Sequence, residues 1–122
     1  MKSTKLEFGG LELDLRLDVK SITRIEKALD ESMITLMPLD EGKMKLPPTH
    51  KLLLVLQGAN QKPGITKQRI YEAFEKFLEE GKTTMDLFSI IAELLMESGF
   101  FGKVDQENQE EELSQDVEMD DL

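Results

Sequence analysis

Two adjacent glycines at positions 9 and 10 constrain this chain more than any other feature. On one side Leu6 and Phe8 alternate with polar residues. On the other, Leu11, Leu13, Leu15 and Leu17 alternate with Glu12, Asp14 and Arg16. Adjacent glycines supply the positive φ angles of a two-residue hairpin turn, and a period of two on both flanks is the mark of a half-buried strand. KLEFGGLELDLRL therefore predicts a β-hairpin over 5–17. A lone hairpin is marginal in water, so its leucine face must pack on helices or on another chain.

The period then changes. After Asp18 the apolar residues come at Ile22, Ile25 and Leu29, which is helical spacing. Asp18 is placed to accept backbone N–H groups of the first turn. Met33 and Ile34 extend the apolar stripe beyond a loosened stretch at 30–32. Residues 38–48 hold three of the four prolines and predict a loop. In THKLLLVLQGAN the run LLLVL is apolar all round and fits a buried helix or a buried strand. Helix is the expected form, with Thr49 as its cap and Gly58 and Asn60 as the punctuation after it.

ITKQRIYEAFEKFLEEG is the clearest helix. Thr66 caps it, Ile70, Ala73, Phe74, Phe77 and Leu78 line one face, and Gly81 stops it. Thr83 with Asp86 reads as a capping box. The last helix turns Leu87, Ile90, Ile91, Leu94 and Leu95 inward and stops at Gly99. The predicted fold class is α+β, mainly α: a hairpin (5–17), a helical body of about four helices (18–99) and an acidic tail. Residues 1–102 form one globular domain and 103–122 the tail.

Charge is unevenly spread. The net charge is −10, and residues 103–122 hold nine carboxylates against Lys103 alone. That leaves −2 for residues 1–102, too balanced for a phosphate-binding face. Nucleic acid is not the expected ligand. The tail's few apolar residues are scattered among like charges and cannot offset their ordering entropy, so the tail is expected to be disordered. DQENQEEELSQD also lacks the central glycine of a calcium loop.

The sequence carries little chemistry. There is no cysteine, which removes disulfides, thiolate metal sites and thiol nucleophiles, and fits a reducing compartment. His50 is the only histidine and has no partner motif around it. No HExxH, GxSxG or phosphate-loop pattern occurs, and the longest apolar run is far too short to cross a membrane. The expectation is no enzyme, no cofactor, no metal and no membrane. The candidate contact residues are Phe100 and Phe101, aromatic anchors just past the last helix, and Leu11, Leu13 and Leu15 of the hairpin. Several of the seven methionines lie in or beside apolar segments, where they fit a core or an adaptable binding groove.

FGGLELDLRLDVKSITRIEKAL resembles the start of tail assembly chaperones of long-tailed phages. The order of parts that follows is similar too: a proline-bearing loop, a central apolar helix, a helix stopped by EEG, a last helix reading LLMESGFFG, and an acidic tail. The resemblance covers roughly residues 5–102 and brings no catalytic signature. It implies a protein of the host bacterial cytoplasm, absent from the mature virion. Such a protein binds the tape-measure protein and keeps it soluble until tail-tube subunits polymerise around it. The implied partners are the tape-measure protein, the tail-tube protein, a longer frameshifted form of the same chain, and further copies of itself. A structural tail or head-connector component and an acidic regulatory protein are the competing expectations.

Overall fold

The computed structural model describes residues 3–36 and 46–99. Strands β1 (Thr4–Phe8) and β2 (Leu11–Leu15) pair antiparallel, with Phe8 opposite Leu11 and Thr4 opposite Leu15. Helix α1 (Val19–Leu29) follows, then a 3-10 turn (Met33–Leu36), α2 (Thr49–Ala59), α3 (Lys67–Glu79) and α4 (Thr84–Glu97). The architecture is thus an N-terminal hairpin followed by four α-helices.

Gly9 and Gly10 both have positive φ, +52° and +85°, which is the two-residue turn expected from the sequence. Residues directly opposite in an antiparallel pair share a face. Thr4, Leu6, Phe8, Leu11, Leu13 and Leu15 therefore face the helices, and Lys5, Glu7, Glu12 and Asp14 face away. Phe8 is fully buried with its ring centroid 4.7 Å from that of Phe77 and 6.3 Å from that of Phe74. A Cβ on Gly9 would lie 1.8 Å from the Ala73 carbonyl oxygen, so the turn is seated on the α3 backbone.

The helix ends obey their local chemistry. Asp18 accepts from Ser21 N (2.8 Å) and Thr66 from Arg69 N (3.2 Å). Thr83 and Asp86 form the reciprocal capping box. At the end of α3, Gly81 N donates to Leu78 O and Lys82 N to Phe77 O, a Schellman closure around a glycine at φ +94°.

Helix α2 is central. It packs against α1, α3, α4 and β2, and Leu52, Leu53, Val55, Leu56 and Ala59 are all buried. A segment touched on nearly every side must be apolar nearly all round, which explains the missing amphipathic pattern of LLLVL. Two expectations fail here. Thr49 is the first helical residue and Pro48 occupies the cap, with no side-chain cap bond. Gly58 does not break the helix. It lies inside α2 where α1 crosses, and a Cβ there would meet Ile25 Cγ1 at 2.3 Å.

Other faces shift by a residue. Met33 is buried but Ile34 is 41% exposed, because the chain enters a 3-10 turn and no longer follows the α1 stripe. Leu78 is exposed on α3, and Phe88 is buried on α4 where Ile90 is only half-buried. Helical spacing puts Leu78 on the same face as Ile70, Phe74 and Phe77. The observed core stripe of α3 is narrower and takes Ile70, Ala73 and Phe77. The acidic tail at 103–122 and most of the loop at 38–48 lie outside the described residues.

Candidate partner-binding surface

A furrow runs along the outward stripe of α2, where residues 50, 53, 54, 57 and 58 recur at helical spacing. Two depressions join at Leu54 and Gln57. One, of about 370 Å³, lies between α1 and the 60–65 segment, with Ile25 and Ile65 on its floor and Arg24 and Ala28 on its wall. The other, of about 270 Å³, is bounded by His50, Lys67 and Tyr71, over Leu53. The 11 residues of α2 extend about 16 Å, so the furrow is as long as about three turns of a partner helix.

The furrow is apolar at its base and cationic at its rim. Leu54 is half-buried, Tyr71 is 41% exposed, and no carboxylate of the described residues lines either depression. The cations are held in place. Arg24 Nη2 donates to Gly58 O (2.8 Å), one of the carbonyls left unpaired at the end of α2. Lys67 Nζ sits 5.6 Å from the centre of the Tyr71 ring, and Lys62 pairs loosely with Glu12 at 3.6 Å. At the far end of α2, Lys51 binds Glu31, which also accepts from Thr35; the Lys51 contact is the larger cause of the lowered Glu31 pKa.

The α2 C-terminus also finishes the sheet. Arg16 N donates to Ala59 O (2.8 Å), Gln61 N to Asp14 O (2.7 Å), and Asp14 N to the Asn60 side-chain oxygen (3.1 Å). Asn60 and Gln61 thus cover the outer edge of β2 as a short third strand would. Gln61 Nε2 reaches Ala59 O and Arg16 O as well. Asn60, loop punctuation by sequence, is thus part of a clamp on β2. Nothing at single-sequence level links residues 46 positions apart.

Leu13 and Leu15 are each 1% exposed and Leu11 is half-buried, all on the helix-facing side. As partner contacts Leu13 and Leu15 are corrected: they hold the hairpin to the core, and a partner could reach them only after unfolding, whereas Leu11 keeps part of its surface open. Phe100 and Phe101 lie outside the described residues. Exposed methionines are found at Met85 and Met96 on α4, while Met33 is wholly buried. The furrow itself left one sequence signal. Leu54 is an apolar residue lying between His50 and Gln57 on the one stripe of α2 that carries polar residues.

Among the described residues, no three His, Cys, Asp or Glu side chains converge as a metal site would require, and no helix is long and apolar enough to cross a membrane. His50 is exposed at the furrow edge, with Gln57 and Lys67 as its polar neighbours. The surface offers shape, apolar area and positive charge to a partner. Comparison with known proteins adds a family. One family model matches residues 1–122, that of DUF6096, a family of unknown function. The chain belongs to DUF6096. No curated protein and no solved structure matches it.

Proposed function

We propose that this DUF6096 domain is a non-catalytic assembly chaperone of a long-tailed phage that binds helical segments of the tape-measure protein before the tail tube polymerises. The observation that carries the reading is the furrow along α2, which no carboxylate of the described residues lines. An extended helical client exposes apolar stripes that associate unless covered. A furrow about three turns long, apolar below and cationic above, accepts an amphipathic helix through its i, i+3, i+4 and i+7 side chains. Arg24, Lys62 and Lys67 favour a client helix flanked by carboxylates. A wide, shallow surface with few buried anchors suits reversible capture, which the growing tube must displace.

The test is co-expression of the chain with the tape-measure protein of the same phage, scored for soluble client. Soluble complex is expected with the native chain. Leu54→Asp with Tyr71→Ala should abolish it while circular dichroism and the melting temperature stay near native, since both side chains face solvent at least in part. Client that stays insoluble with the native chain, or solubilisation unaffected by the furrow variant, defeats the proposal. Recovery of the chain from purified particles would favour a structural tail component instead.

A further inference from the structure

We infer that the outer edge of β1 is a self-pairing surface on which a second copy of this chain docks antiparallel, with the two-fold axis at Leu6. This proposal does not depend on what the furrow binds. The two edges of the sheet differ. That of β2 is covered from Asp14 onward by Asn60 and Gln61, whereas among the described residues β1 is bonded to β2 alone. In a hairpin with a two-residue turn, Phe8 and Leu11 form a hydrogen-bonded pair, as do Leu6 with Leu13 and Thr4 with Leu15. The N–H and C=O groups of Lys5 and Glu7 therefore point away from β2. The same alternation on β2 sends Asp14 and Arg16 outward, which is where their bonds to the 59–61 segment are found.

That edge can receive a copy of itself only in registers that put odd residues opposite odd residues. Of the five such axes on strand residues, the three at Lys5, Leu6 and Glu7 keep most of the strand paired. A two-fold axis at Lys5 places Lys5 opposite its own copy, and an axis at Glu7 places Glu7 opposite its own copy. Both juxtapose like charges. An axis at Leu6 places each Lys5 opposite Glu7 of the other copy, twice. It also sets Leu6, half-buried on the helix-facing side, against its own copy in a close non-hydrogen-bonded pair. The strand has neither proline nor bulge, the usual obstructions to edge pairing. Its one edge lysine would repel a copy in one register and is matched by Glu7 in another.

The full chain should sediment as a concentration-dependent dimer, weakened by high salt because the pairs are exposed. Lys5→Glu alone and Glu7→Lys alone each create like-charge pairs in the Leu6-centred register and should raise the dimer dissociation constant at least about tenfold. The double variant Lys5→Glu/Glu7→Lys restores two opposite-charge pairs and should recover the dimer. Both side chains are exposed and face away from the core, so the monomer fold should survive, as circular dichroism would show. Because the chain has no cysteine, Leu6→Cys provides a second readout: mild oxidation of dilute protein should yield a disulfide-linked dimer. A native chain monomeric at several hundred micromolar would overturn the proposal. A dimer indifferent to both single charge changes, or not recovered by the double change, would do the same.

Discussion

At the scale of single residues, Gly9 and Gly10 look interchangeable in the sequence but differ in surroundings. A Cβ on Gly9 meets the Ala73 backbone, whereas on Gly10 the nearest atom is the mobile Lys76 Nζ at 3.9 Å. Both positions have φ in the left-handed region, which costs an L-residue about 1–2 kcal/mol. Only Gly9 adds overpacking against backbone, about 1–3 kcal/mol. Chemical denaturation should therefore find Gly9→Ala destabilised by about 3 kcal/mol and Gly10→Ala by about 1 kcal/mol. Equal losses would remove the contact with α3 from the explanation.

Asp18 is expected to contribute to the acid limb of stability. The backbone N–H of Ser21 is the largest cause of its pKa falling from 3.8 to about 2, and Arg16 Nη2, 2.9 Å from Oδ2, adds to the shift. A carboxyl whose pKa is lower folded than unfolded stabilises the fold above its unfolded pKa. That contribution disappears as pH falls through the folded value. Stability should thus decline between about pH 4 and pH 2, with Glu31 contributing in the same direction. In Asp18→Asn, which keeps a capping oxygen but cannot titrate, the decline should be shallower when melts are compared across that range. An unchanged slope would mean that other carboxyls govern the acid limb.

At the scale of elements, the hairpin is held by its inner face. Leu13→Asp places an unpaired carboxylate in a site that is 1% exposed, among the costliest of substitutions, and should leave no cooperative melt. Phe8→Ala removes a ring packed on Phe74 and Phe77 and should cost about 3–5 kcal/mol. These elements were legible in advance because their causes are local. Glycine pairs, caps and period depend on residues within a turn of each other, so the hairpin, the Asp18 and Thr66 caps and the Thr83–Asp86 box could be read directly. Helix α2 was legible only in part. Its apolar run reflects neighbours on nearly every side, and those neighbours come from distant parts of the chain.

At the scale of the whole molecule, the crossing of α1 over α2 decides the meaning of Gly58. Ala in a helix is favoured over Gly by about 1 kcal/mol, so an isolated α2 would gain from Gly58→Ala. In the folded domain the added methyl meets Ile25, which is buried and stiff at χ1, and overpacking of about 1–3 kcal/mol outweighs that gain. The expected result is a net loss of about 1 kcal/mol, seen as a fall in melting temperature of about 4–8 °C. A raised melting temperature would show that the crossing relaxes. The same crossing positions Arg24 on Gly58 O and opens one half of the furrow. The candidate surface thus arises from α1, α2, the 60–65 segment and α3 together.

Local sequence alone specifies the hairpin and its turn, the caps at Asp18, Thr66 and Thr83, the α+β class and the lack of a familiar catalytic motif. Each rests on interactions between residues a few positions apart. Folding adds that Leu13 and Leu15 belong to the core, that Asn60 and Gln61 cover the edge of β2 from Asp14 onward, and that among the described residues β1 bonds to β2 alone. It also places a furrow along α2 that no carboxylate of the described residues lines. Burial, edge exposure and groove shape depend on which distant surfaces meet, and side-chain period fixes only which face of an element is apolar, not what covers it.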